Sequence, residues 1–196
     1  LSGLFLWSTT MATLLSFGEA LIDFLPQDKS NSCYQPICGG APANVAVAYA
    51  KLGGQSFFAG GLSYDNFGQL IKQQFEQYGV EDNYIVNIKQ SPTAIVLVSL
   101  DDQGEREFSF YRHNSADMYF KNSDFDAIDW SEIDSVHFCS NTLTNIDLAN
   151  VTNYGLNRAK IQQKLISFDV NLRYSLWEDI NQLPARVEQC FPFVDI

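Results

Sequence analysis

The stretch GGAPANVAVAYAKLGG, residues 39–54, carries the clearest fold signal in this sequence. Its alanines and valines predict a helix that packs against a sheet. Pro42 stands in the first turn, where the missing N–H costs little, and Gly53 marks the end of the helix. The opening is unusual, because two glycines and an asparagine offer no apolar surface for packing. The start of this helix is therefore a candidate ligand site.

The residues around this helix start suit a ligand that is rich in hydroxyl groups. Gly39 and Gly40 have no Cβ, so their backbone N–H groups can approach a ligand closely. Asn44 offers both amide donors and an acceptor, and an ionised Asp23 can accept from two neighbouring hydroxyls. The structural alternatives are a tight turn at the glycines, a helix cap at Asn44 and an Asx turn at Asp23.

Short apolar runs alternate with longer amphipathic runs after Met11, which predicts the strands and helices of an α/β fold. The alternation breaks at TAIVLVSLDDQGEREFSFYR, residues 93–112, which predicts two strands joined by a turn. Together with an extended stretch near residues 22–37, this hairpin is expected to form a small second sheet. Further along we expect strands at SVHFCS, KLISFDVN and PFVDI, a helix at about residues 145–160, and a helix at WEDINQLPARVEQC with a break at Pro184.

Two arginines follow predicted strands. Arg112 ends the hairpin, and Arg173 comes after the strand LISFDVN. Arginines at strand ends suit contact with a carbonyl, carboxylate or phosphate group of a ligand. The alternative is a surface ion pair with Asp or Glu, and Asp169 is placed either to orient Arg173 or to contact the ligand.

Composition and charge exclude several partners. The net charge is −11 and the chain has no cluster of Lys and Arg, which argues against a nucleic-acid partner. The four cysteines have no CxxC pair and no metal-ligand spacing with His113 and His137, so we expect a reduced, cytoplasmic protein and no metal site. Residues 1–10 are too short to span a bilayer and lack a basic region and a cleavage motif, so no membrane partner is expected. We expect a non-native leader at residues 1–10 and one domain at residues 11–196.

Four motifs in order resemble the ribokinase-like (PfkB) carbohydrate kinases, from Met11 to Ile196. They are GEALIDF, GGAPANVAVAYAKLGG, AIVLVSLDDQGEREFSFYR and FDVNLRYSLW. Within the family they are most similar to the bacterial fructokinases and the neighbouring 2-keto-3-deoxygluconate kinases. The resemblance implies a Rossmann-type three-layer α/β sandwich with a small β-sheet lid near residues 22–37 and 93–112, truncated before its carboxyl-terminal part. Lids of this family often pair between subunits, which makes a homodimer through the lid an expectation.

The resemblance also assigns roles to residues at the predicted site. It implies sugar contacts at six positions, namely Asp23, Gly39, Gly40, Asn44, Arg112 and Arg173. Asn171 of the DxNxR motif is implied to lie near the nucleotide phosphates. The family's carboxyl-terminal DTxGAGD motif supplies the catalytic base and an anion hole, and this sequence contains no such string. No catalytic residue is therefore expected in this chain.

The activity implied for the full-length parent is phosphorylation of a sugar by ATP and Mg²⁺, with fructose converted to fructose 6-phosphate. The chain itself is expected to hold the sugar-binding half and to be inactive alone. One alternative is a 2-keto-3-deoxygluconate kinase, although Asp23 would repel the carboxylate of a sugar acid. A non-catalytic truncated product is the other alternative.

Overall fold

A computed structural model describes residues 12–196 of the chain. The described part contains two β-sheets and five α-helices. The strands are β1 Leu14–Phe17, β2 Leu21–Pro26, β3 Tyr34–Gly39, β4 Ser56–Ser63, β5 Val80–Ile88, β6 Ile95–Leu100, β7 Arg106–Tyr111, β8 Ser135–Cys139 and β9 Leu165–Asp169. The helices are α1 Ala41–Lys51, α2 Asn66–Tyr78, α3 Asn122–Asp126, α4 Ile146–Ile161 and α5 Leu183–Glu188. The predicted leader at residues 1–10 and the start at Met11 lie outside the described residues.

The main sheet is parallel and has the strand order β5-β4-β1-β8-β9. Apolar side chains from both of its faces are buried under helices. On one face Phe58 packs in a core with residues of α1 and α2, and on the other Phe138 packs in a core with residues of α4. Helices on both faces of a parallel sheet form the three-layer α/β sandwich that the sequence predicts.

The small sheet has the strand order β3-β2-β6-β7. The hairpin of β6 and β7 is confirmed: the two strands pair antiparallel, and the N–H of Gly104 donates to the carbonyl of Asp101 at 3.0 Å in the connecting turn. The extended stretch near residues 22–37 is also confirmed as part of this sheet, because β2 pairs antiparallel with β3 and parallel with β6. Strands β1 and β2 belong to different sheets and are separated by only three residues, Gly18, Glu19 and Ala20.

Helix α1 begins and ends as the sequence predicts. Pro42 lies in its first turn and is buried. Leu52 caps the carboxyl end, and Gly53 follows with φ +90°, the left-handed conformation that glycine adopts readily. The glycines at the other end divide between two elements, since Gly39 is the last residue of β3 and Gly40 is the N-cap of α1.

Two elements differ from the sequence prediction. Strand β5 is absent from the prediction because its sequence VEDNYIVNI has three polar residues in a row near its start. The strand lies at the edge of the main sheet, where β4 is its one neighbour among the described residues. The helix predicted at residues 177–190 is shorter, since α5 covers only Leu183–Glu188. Pro184 stands in the first turn of α5 and so begins this helix instead of breaking it.

The predicted strand PFVDI is not a strand in the structure. Residues Phe191–Phe193 form a 3₁₀ turn. The backbone after this turn still lies beside β9, because the N–H of Asp195 donates to the carbonyl of Ile166 at 2.8 Å and the N–H of Phe168 donates to the carbonyl of Ile196 at 3.0 Å. Among the helices of residues 12–196, none is both long and apolar enough to span a bilayer.

Candidate functional site

A cleft of about 170 Å³ lies where the start of α1, the small sheet and the carboxyl ends of β8 and β9 meet. Ligands of open α/β sheets bind at the carboxyl ends of the strands, so this is the expected place for a site. Five of the predicted residues line the cleft: Asp23, Gly40, Asn44, Asn171 and Arg173. The cleft is also lined by Glu19, Leu21, Ala41, Val96, Phe108, Phe110 and Asn141.

The two glycines before α1 allow close contacts that a side chain would prevent. Gly40 has φ +101°, and a Cβ there would lie 2.5 Å from the carbonyl oxygen of Glu19. Gly39 does not line the cleft, but a Cβ at Gly39 would collide with the carboxylate of Asp23. Because neither glycine has a side chain, the start of α1 can lie against the connection between β1 and β2, and Asp23 fits beside β3. Asp23 is half-buried, and this burial raises the pKa of its carboxyl.

Asn44 and the residues after β9 keep polar groups at the cleft surface. Asn44 lies inside the first turn of α1 and its N–H donates to the carbonyl of Gly40 at 2.9 Å, so its side chain does not cap the helix. Arg173 is exposed, and its Nη1 donates to the carbonyl of Leu172 at 3.3 Å. The N–H of Asn171 donates to Asp169 Oδ1 at 3.1 Å, so Asp169 orients this backbone instead of the arginine.

Arg112, a predicted sugar contact, does not line this cleft. Its guanidinium is buried, with Nε 2.6 Å from Asp117 Oδ2, and the two side chains are 6% and 1% exposed. Nη1 donates to the carbonyl of Asn141 at 2.8 Å and to Thr144 Oγ1 at 3.3 Å. Arg112 lines a neighbouring cavity of about 230 Å³ instead. A buried guanidinium needs a carboxylate partner, and the sequence signal for it was the Asp117 that follows five residues later.

Glu19 and Asn141 line the cleft but were not selected from the sequence. Glu19 is fully buried, and burial raises the pKa of its carboxyl, while Arg112 and a hydrogen bond from Asn141 act in the opposite direction. Asn141 Nδ2 donates to Glu19 Oε1 at 2.8 Å. A carboxylate inside the apolar run FGEALI was the available signal for Glu19, since such a group is rarely buried without a partner.

Phe108 and Phe110 are the other lining residues that sequence analysis did not select. They stand two residues apart on β7 and therefore project from the same face of the small sheet. The lining of the cleft thus combines carboxylate, amide and guanidinium groups with two aromatic rings.

Comparison with known proteins identifies the family. Residues 11–196 match the family model described as pfkB family carbohydrate kinase. This chain belongs to the pfkB family of carbohydrate kinases. The resemblance drawn from the four motifs is confirmed, and so is the fold class.

Curated pfkB relatives of this chain include several fructokinases. The fructokinase of Vibrio alginolyticus is 36% identical over 179 residues, which are 91% of this chain and 57% of the relative. The fructokinase of Escherichia coli is 35% identical over 179 residues with the same coverage. The chain therefore spans somewhat more than half the length of the curated relatives that it matches.

Solved structures show the same likeness. The crystal structure of the fructokinase from Xylella fastidiosa has a TM-score of 0.87 and 40% identity, and the match covers 93% of this chain and 57% of that one. The fructokinase from Vibrio cholerae O395, solved in fructose, ADP and calcium ion bound form, has a TM-score of 0.83 and 31% identity over 95% of this chain and 59% of that one.

Proposed function

We propose that this chain is the sugar-binding part of an ATP-dependent sugar kinase that converts fructose to fructose 6-phosphate. The observation that carries the proposal is the cleft, which brings Asp23, Asn44, Asn171 and Arg173 together from three separate segments of the chain. The similarity to fructokinases, one of them solved with fructose and ADP, supports fructose as the sugar.

The proposed roles follow from the chemistry of the lining groups. The carboxylate of Asp23 accepts hydrogen bonds from sugar hydroxyls, and the amide of Asn44 donates and accepts. Gly40, with Gly39 behind it, admits the sugar close to the backbone. The rings of Phe108 and Phe110 cover the apolar surface of the sugar from the small sheet, which acts as a lid and excludes water from the reacting groups.

ATP would supply the phosphoryl group, and the side chain of Asn171, which follows β9, offers amide donors to its phosphate oxygens. Arg173 lines the same cleft and offers its guanidinium donors to the sugar. In residues 12–196 no three metal-ligating side chains come together, so the proposal assigns no residue of this chain to Mg²⁺. Catalysis by such kinases depends on positioning and charge stabilisation, and we place the catalytic base outside this chain.

A 2-keto-3-deoxygluconate kinase is the alternative. This substrate carries a carboxylate, which the half-buried Asp23 would repel if the two came close. Arg112, which the sequence offered as a partner for such a carboxylate, is instead occupied by Asp117. Arg173, which lines the same cleft, suits either substrate, so the preference for a neutral sugar rests on Asp23.

The test compares both substrates on two proteins. Titration of the isotope-labelled chain with fructose and with 2-keto-3-deoxygluconate, followed by amide NMR shifts, measures binding; we expect shifts at Asp23, Asn44 and Arg173 with fructose only. Phosphate transfer from ATP is measured on the full-length gene product and on the 196-residue chain, and we expect activity in the former alone. Phosphorylation of the keto acid but not of fructose would contradict the proposal.

Two further expectations belong to this proposal. A homodimer through the small sheet would use its edge strands β3 and β7, and sedimentation of the chain at several concentrations tests it. A cytoplasmic location is consistent with the free thiols of the four cysteines in the described residues.

A further inference from the structure

Asn141 is held at the wall of the cleft by contacts on both its side chain and its backbone. It lies in the 3₁₀ turn Ser140–Leu143 directly after β8 and is only 7% exposed. Its side-chain Nδ2 donates to Glu19 Oε1 at 2.8 Å. Its carbonyl oxygen accepts from Arg112 Nη1 at 2.8 Å, so the residue is fixed from two directions.

Glu19 also fixes which way the amide of Asn141 faces. The amide nitrogen of Asn141 donates to Glu19 Oε1, so the amide oxygen faces away from this carboxyl. That oxygen, Asn141 Oδ1, is buried and has no hydrogen-bond partner among the described residues. Buried polar atoms without partners are rare in folded proteins and indicate a group that a ligand or water satisfies.

A second unpaired atom belongs to a residue in direct contact with Asn141. Arg112 Nη2 is buried and also lacks a partner among the described residues, while Nη1 of the same guanidinium is bonded to Asn141. Arg112 lines the neighbouring cavity and not the cleft, so of these two atoms Asn141 Oδ1 is the one offered to a ligand of the cleft. A hydroxyl group both donates and accepts, whereas a carboxylate oxygen accepts only.

We propose that Asn141 is a specificity-determining residue of the sugar site, whose Oδ1 accepts a hydrogen bond from one hydroxyl of the bound sugar. Glu19 is a positioning residue that keeps this oxygen turned toward the sugar. This inference rests on the proposed function and adds to it a means of selecting a hydroxyl at one position of the ligand.

The charges around Asn141 support selection of a neutral group. Glu19 and Asp117 are both buried beside Arg112, so this wall carries two carboxyls for one guanidinium. Asp23 lines the same cleft and adds another carboxyl. A ligand carboxylate beside these carboxyls would be repelled, whereas a hydroxyl can donate to the unpaired acceptor of Asn141.

The experiment pairs changes in the protein with changes in the ligand. Affinities of the wild-type chain and of Asn141→Leu for fructose and for each monodeoxy analogue of fructose are measured by NMR titration. Leu has a similar size but neither donor nor acceptor. We expect one analogue to bind the wild type about three- to tenfold more weakly than fructose, the usual effect of one neutral hydrogen bond. Asn141→Leu should bind that analogue and fructose with equal affinity.

Two more variants separate recognition from structure. Asn157→Leu makes the same chemical change on the exposed side of α4 and should discriminate among the analogues as the wild type does. Glu19→Gln keeps Asn141 but removes the reason for its orientation, because a glutamine amide donates as well as accepts. We expect Glu19→Gln to reduce the discrimination, and it provides the test if Asn141→Leu does not fold.

The outcomes distinguish this inference from the proposed function. The inference is wrong if the wild-type chain binds fructose and both Asn141→Leu and Glu19→Gln discriminate among the analogues as the wild type does. Asn141 then accepts no hydrogen bond from a sugar hydroxyl. If the wild-type chain binds no fructose at all, the proposed function is wrong and the role of Asn141 falls with it.

Discussion

Two sets of polar side chains meet at the cleft, and they differ in how much of their hydrogen-bonding capacity the protein itself uses. The outer set is exposed or half-buried and consists of Asp23, Asn44 and Arg173. The buried set is bonded together and consists of Glu19, Arg112, Asp117 and Asn141. The outer set has hydrogen-bonding groups left for a ligand, whereas most hydrogen-bonding groups of the buried set bond to other groups of the protein. Position at a strand end is therefore insufficient to identify a ligand contact.

The largest effect is expected when the buried set loses its only cation. Arg112→Met leaves Asp117 and Glu19 buried without an opposite charge, which should lower the free energy of unfolding by about 3–5 kcal/mol. Arg173→Met removes an exposed arginine and should change the free energy of unfolding by less than about 0.5 kcal/mol. Urea denaturation followed by circular dichroism measures both. Equal effects of the two variants would contradict the division into an outer and a buried set.

The next largest loss of stability is expected at Gly40, whose backbone lies against the carbonyl of Glu19. Gly40→Ala places a Cβ 2.5 Å from the carbonyl oxygen of Glu19 at φ +101°, and should destabilise the chain by about 2 kcal/mol or more. Gly53 also has a positive φ, but a Cβ there meets no atom within 4 Å. Gly53→Ala should therefore cost only the conformational strain, about 1 kcal/mol. Thermal unfolding of both variants separates the steric cost at Gly40 from the conformational strain that both positions share. Equal losses of stability would show that the close approach of Gly40 to the carbonyl of Glu19 is unimportant.

A change in the outer set should affect binding and leave stability nearly unchanged. Asp23→Asn removes a charged acceptor of sugar hydroxyls, which should weaken fructose binding by about 1.5–3 kcal/mol, or roughly ten- to a hundredfold. The free energy of unfolding should change by less than about 0.5 kcal/mol. Asp102→Asn in the hairpin turn is the matched control and should alter neither quantity. An unfolding effect larger than the binding effect would place Asp23 in the buried set.

The smallest effect is the part of the pH dependence of stability that Glu19 of the buried set contributes. Burial raises the pKa of Glu19 above its usual value, with Arg112 partly opposing the shift. The folded state then binds more protons than the unfolded state between the two pKa values, so stability falls as pH rises from the unfolded pKa through the folded one. Glu19→Gln should remove this part of the pH dependence. Denaturation of both proteins at a series of pH values measures it, and parallel curves would show that Glu19 does not titrate with folding.

Strong local signals explain which parts of the fold the sequence predicts. Helix α1 has a proline in its first turn and a glycine at its end, and the hairpin of β6 and β7 has a turn between two apolar strands. Strand β5 lacks such signals, because the polar run at residues 81–83 near its start resembles a loop. The short helix α5 was overestimated because Pro184 is compatible with both a break and a start.

The sequence predicts site residues that follow a strand, but it does not predict those whose position depends on a partner far away in the sequence. Arg173 lines the cleft because it follows β9, whereas Asp23 lies within β2 and lines the cleft from the small sheet. Arg112 also follows a strand, but whether it faces a ligand or Asp117 depends on packing that the sequence does not display. Glu19 and Asn141 were missed because each is explained only by the other, across 122 positions of sequence.

That separation has a consequence for the order in which the chain folds. The hydrogen bond between Glu19 and Asn141 needs β1 and β8 to lie side by side, and these parallel strands are joined by well over a hundred residues. Closing a loop of this length reduces the entropy of the chain before any stabilising contact has formed, so such pairings form slowly. Helix α1 and the hairpin, whose contacts are local, can form early. The wall of the cleft is therefore among the last parts of the protein to be completed, and it is intact only in molecules that have finished folding.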